Sequence, residues 1–147
     1  MKLLRVLMCT ALLSGALFVR APAASAACEQ VWVDNYDIAL ELDRRAYRMG
    51  DTVDIGALVT RKTTGDPVGG ADFAVLIMSR KDRFTYGIDT TDASGRAEVA
   101  IKLKRKFSAP GPVRLRALAM QAAADTTCAT VGEYGLRKVR RAFVVKP

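Results

Sequence analysis

The chain contains no histidine, which removes both the commonest general base at neutral pH and the commonest zinc ligand. Ser-His-Asp and Cys-His nucleophilic machinery is thereby excluded. Carboxylates and thiols remain. Asp51 with Asp54, and Asp89 with Asp92, are close in sequence. A paired-carboxylate hydrolase needs a cleft that holds its two groups at a defined separation, and these pairs lie in segments with the composition of turns, where aspartate hydrogen-bonds the local backbone. Asp89, Asp92 and Ser94 also offer oxygens to a calcium ion, which takes about six to eight of them. They lack the alternate spacing and terminal Glu of a calcium loop. No catalytic residue, metal or cofactor is assigned, and the expectation is a protein that is not an enzyme. A histidine-free glycosidase is the enzymatic alternative, and a sugar held between two carboxylates would establish it.

The thiols point to a compartment. Lys2 and Arg5 precede an apolar run from Val6 to Val19, and Ala24-Ser25-Ala26 supplies a small-residue exit, so residues 1–26 read as a secretory signal cleaved after Ala26. The run is shorter than the ~20 residues that span a bilayer as a helix. Cys9 leaves with the signal, and Cys28 and Cys128 remain as an even pair in an oxidising environment, where a disulfide is expected. Lipidation of Cys28 is disfavoured, because Ser25 occupies the position three residues upstream where a Leu-like residue is usual. Residues 27–147 then form one domain, large enough to bury a core without a metal.

The whole chain carries a formal net charge of +8, part of which departs with Lys2, Arg5 and Arg20. The remaining Lys and Arg are scattered rather than blocked, so no nucleic-acid partner is expected. A mild attraction to anionic surfaces is consistent with this bias.

Alternation with period two positions these residues, because it places successive side chains on opposite faces of a strand. Tyr36, Ile38, Leu40 and Leu42 share one side of a first strand, and Val53, Ile55, Ala57 and Val59 mark a second. Phe73, Val75 and Ile77 define a third, Phe84 to Asp89 a polar edge strand, and Val99, Ile101 and Leu103 a fifth. Val113, Leu115, Ala117 and Ala119 give a sixth, and Phe143 with Val145 the last. Seven short strands punctuated by Gly-, Pro- and Asp-rich turns predict an all-β sandwich. The Ala-rich stretch Leu118 to Asp125 is the only helix candidate.

Three turn segments resemble those of bacterial immunoglobulin-like and macroglobulin-like domains, which are extracellular sandwich modules. They are Tyr47-Arg48-Met49-Gly50-Asp51-Thr52-Val53, Thr64-Gly65-Asp66-Pro67-Val68-Gly69-Gly70-Ala71 and Thr91-Asp92-Ala93-Ser94-Gly95-Arg96-Ala97. They occur in family order across residues 36–120. The resemblance implies an immunoglobulin-like fold, but function does not follow from fold. The chain departs from the family in two places: Cys28 and Cys128 are not the facing-strand pair of antibody-type domains, and 121–138 is longer than a hairpin.

If Phe73, Val75, Ile77, Val113, Leu115 and Ala117 point inward, then Ala74, Leu76, Met78, Leu118 and Met120 point outward, together with Arg114 and Arg116. In a sandwich of this type the third, sixth and seventh strands share a sheet, so Leu76, Met78, Leu118, Met120, Arg114 and Arg116 form a candidate interaction face. Two readings stay open. The face meets an extracellular protein or an anionic envelope polymer, or residues 121–138 fold back over it, with Trp32 and Tyr36 in the same cap. The expected function is a secreted binding or adhesion module. The alternative is a secreted structural protein or enzyme inhibitor acting through a disulfide-tethered 121–138 segment.

Overall fold

A computed structural model describes residues 29–79, 83–106, 109–122 and 129–147, and the period-two pattern governs its architecture. The described chain forms nine strands: β1 (Glu29–Asp34), β2 (Tyr36–Leu42), β3 (Ala46–Arg48), β4 (Thr52–Arg61), β5 (Asp72–Met78), β6 (Phe84–Thr90), β7 (Arg96–Lys102), β8 (Gly111–Gln121) and β9 (Ala129–Lys146). The larger sheet runs β1-β9-β8-β5-β6, with β3 also on β9, and the smaller runs β2-β4-β7. Among the described residues no helix is long and apolar enough to cross a membrane.

Alternate residues of both sheets meet in one core. Val53, Ile55, Ala57 and Val59 of β4 and Ala97, Val99 and Ile101 of β7 are buried with Phe73, Val75 and Ile77 of β5 and Val113, Leu115, Ala117 and Ala119 of β8. Each large apolar side chain so buried contributes about 1.5–3 kcal/mol, which is why half-apolar strands stack in two layers.

Glycine closes the sides. On one side β6 approaches β7, with Gly87 against Val99 and Ile101; on the other β9 approaches β2, with Gly135 against the backbone of Tyr36. A Cβ at either position would collide with its neighbour.

The N-terminal strands change sheets. β1 pairs in parallel with β9 from Glu29↔Ala129 to Asp34↔Tyr134, and β3 pairs in parallel with the same strand farther along, Ala46 opposite Val144. Between them β2 pairs with β4 in the smaller sheet. A register shift between Val113 and Leu115 marks a bulge in the β8–β9 ladder, and Arg141 on β9 has φ 58°, in the left-handed region.

The sheets correct the sequence reading in three respects. The described residues form nine strands rather than seven, the additions being β1 and the short β3. The last strand is 18 residues long, not a short segment around Phe143 and Val145. Gly132, Glu133 and Gly135 have the composition of a loop, yet Gly132 lies beneath the Trp32 ring and Gly135 beside Tyr36, so these glycines permit close approach within a strand. Finally, Leu118–Gln121 is strand rather than helix, because Ala117 and Ala119 are fully buried in a continuous ladder and packing overrides their helix propensity. The expected signal at 1–26 and the cysteines Cys28 and Cys128 lie outside the described residues.

Candidate interaction face of the larger sheet

Register builds the outer face row by row, because residues directly opposite in an antiparallel pair share a face. β5 and β8 align Asp72 with Met120, Ala74 with Leu118, Leu76 with Arg116 and Met78 with Arg114. All six candidate residues are therefore in one continuous patch. β6 widens it with Ile88 opposite Ala74, Tyr86 opposite Leu76 and Phe84 opposite Met78. β9 does the same from the other flank, placing Tyr134, Leu136 and Lys138 opposite Met120, Leu118 and Arg116.

The relief of this face follows from side-chain size. Leu76, Met78, Leu118 and Met120 are half-buried, whereas Ile88 is 73 % exposed, Tyr86 65 %, Phe84 55 % and Leu136 50 %. Ala74 is the low point. Two adjoining shallow depressions share Ala74 and Leu118; one reaches Ile88 and Met120, the other Leu76, Tyr86, Arg116 and Leu136.

Residues 129–138 do not cover this face. They lie in the sheet as the first half of β9, hydrogen-bonded between β8 and β1, and therefore extend the surface. Nor do Trp32 and Tyr36 form a cap: Trp32 is on the edge strand β1, and Tyr36 is 2 % exposed in the core. Residues 123–128 are outside the described set.

No protein-family model matches the chain, and no curated protein matches it. Among solved structures it is similar to Spo0M, a sporulation control protein from Bacillus subtilis, with a TM-score of 0.34 and 10 % identity over 78 % of this chain and 51 % of that one. It is also similar to a β-glucosidase from Listeria innocua in complex with glucose, with a TM-score of 0.33 and 11 % identity over 76 % of this chain and 16 % of that one. The chain thus spans about half the length of the first and a small part of the second.

Charge is distributed unevenly over the outer face. The ion pairs among the described residues join Arg44 to Asp43 and Asp51, Arg61 to Glu133, and Lys62 to Asp34. Arg114, Arg116 and Lys138 are exposed and make none of them.

The aspartates named in the sequence are engaged in local structure. Asp92 accepts hydrogen bonds from the Ser94 hydroxyl and the Ser94 and Arg96 amides, and these hold its carboxyl below the usual range. Asp89 accepts the Glu98 amide at 2.8 Å, joining β6 to β7, and Asp51 accepts the Arg48 amide at 2.9 Å. Asp54 is exposed on β4.

Sequence reasoning missed two features. The exposed Phe84, Tyr86 and Ile88 were legible as an alternating triplet, and they extend the apolar surface across β6. The other is a polar fastening at one end of the sandwich. The Glu133 carboxylate accepts from Asn35 Nδ2 at 2.7 Å and from the Tyr36 hydroxyl at 3.0 Å, and faces Arg61 at 3.2 Å. The Asn35 hydrogen bond, then those of Tyr36 and the Arg61 charge, lower the pKa of Glu133 against the opposing effect of burial. Glu133 is 98 residues from Asn35 and 97 from Tyr36, so no local pattern reveals it.

Proposed function

We propose that this chain is a secreted, non-enzymatic binding or adhesion module of immunoglobulin-like and macroglobulin-like type, which contacts an extracellular protein or an anionic envelope polymer through the outer face of its larger sheet. One observation carries the reading. Phe84, Tyr86, Ile88 and Leu136 are half or more exposed on one continuous face, and contiguous apolar surface of this kind is a mark of interaction sites. Support for the fold type comes from the three turn segments, whose Gly50, Gly65, Gly70 and Gly95 all adopt positive φ. The signal-like residues 1–26 support secretion.

The test compares retention of purified wild type and a Tyr86→Asp/Leu136→Asp double variant on native envelope fractions. Both residues are exposed, so thermal stability should be unchanged, while binding should weaken about tenfold or more, equivalent to ~1.4 kcal/mol or greater. Equal retention would remove the face from the proposal.

A further inference from the structure

The charge on the outer face is polarised along the strands. At one end of the β5–β8 ladder stands the exposed Asp72, beside Met120; at the other stands Arg114, beside Met78, with Arg116 and Lys138 in the next row. The two ends are about 20 Å apart at ~3.3 Å per residue. None of these four charged groups is ion-paired within the described chain. Between them lies apolar surface, floored by Ala74 and flanked by Tyr86, Ile88 and Leu136.

We infer that the partner of this face is a second copy of the same chain. Two larger sheets stack outer face to outer face about a twofold axis that lies in the interface and crosses the strands. This axis reverses strand direction between the copies, so the Asp72 end of each face meets the Arg114 end of the other, and the contact occurs twice by symmetry. The apolar middle of one face lies on the apolar middle of the other, at the ~10 Å spacing of stacked sheets. A face carrying an acid at one end and bases at the other contains its own charge complement. An anionic lipid or polymer surface would attract the basic end and repel Asp72, whereas a second copy offers a partner of opposite sign to both ends.

This inference rests on the reading of the outer face as a binding surface and names its partner; the experiment separates the two. Sedimentation velocity on the purified protein at low ionic strength should show a dimer that weakens with added salt. Asp72→Arg alone sets like charges opposite each other, as does Arg114→Asp/Arg116→Asp alone, and each should weaken dimerisation about tenfold or more while thermal melts stay unchanged. An equimolar mixture of these two variants should recover the dimer, because both charge contacts in the mixed pair are opposite in sign. A wild type that sediments as a monomer at every concentration tried overturns the inference, as does a mixture that associates no better than either variant. A monomer whose envelope retention still depends on Tyr86 and Leu136 overturns the second-copy inference and leaves the binding face standing. A dimer of the expected charge behaviour whose envelope retention ignores those residues supports self-association and removes the envelope as a partner of this face.

Discussion

Tyr47 shows how one side chain ties a crossing strand to the core. Its ring is 1 % exposed and meets Phe143 edge to face, with centroids 4.9 Å apart. Its hydroxyl donates to Asp43, and the Arg44 guanidinium lies 4.9 Å from the ring centre. Burial, then the hydrogen bond to Asp43, pushes the phenol up to about 12, and the same bond, with Arg44, holds the Asp43 carboxyl below its ordinary value. A phenol whose folded pKa is raised contributes stability that is complete below its unfolded value near 10 and is lost as pH rises toward 12. Urea melts should therefore show wild type losing stability between pH 10 and 12 more steeply than Tyr47→Phe, and identical slopes would refute this role. At pH 7 the Tyr47→Phe variant should lose only about 0.5–1.5 kcal/mol, because Asp43 is exposed and water replaces the lost partner.

At the scale of elements, β9 makes the differences that matter. It is 18 residues long and carries β1 and β3 on one edge and β8 on the other. Only its C-terminal part, with Phe143 and Val145 inward, alternates cleanly enough to be read from sequence. Its first half contains two glycines with different neighbours. A Cβ on Gly135 would strike the Tyr36 backbone, whereas one on Gly132 would meet the Trp32 ring, which is 37 % exposed and free to swing outward. Gly135→Ala should cost about 1–3 kcal/mol, and Gly132→Ala less than ~1 kcal/mol, because only an exposed side chain must move. Chemical denaturation of both variants gives the comparison; equal costs would mean that β2 yields as easily as Trp32. The inward faces of β4, β5, β7 and β8 were legible because each is covered by the opposite sheet, and burial on one face alone is what writes a period-two pattern. β1 exposes Val31, Trp32 and Val33 on both faces, so it writes none.

At the scale of the whole molecule, export and cross-linking remain proposals with a shared test. Protein recovered outside the cell should begin at Ala27, and a peptide map made without reductant should contain Cys28 joined to Cys128. The paired registers of β1 and β9 begin at the residues immediately after these cysteines, Glu29 and Ala129. A bond closing a loop of about 100 residues is worth up to ~4.7 kcal/mol in the chain-entropy picture, so reduction should lower the thermal midpoint. Two free thiols in the exported protein would end this proposal. By itself the sequence determined that the chain is all-β, which residues of β2, β4, β5, β7 and β8 turn inward, and that no histidine chemistry is available, since composition and alternation are local properties. Tertiary structure alone decided that 129–138 extends the larger sheet instead of covering it, that Phe84, Tyr86 and Ile88 join the same face as Leu118, and that Glu133 fastens β9 to β2. Each of these depends on which strands become neighbours, and pairing between distant segments is set by the packing of the whole chain rather than by any short run of residues.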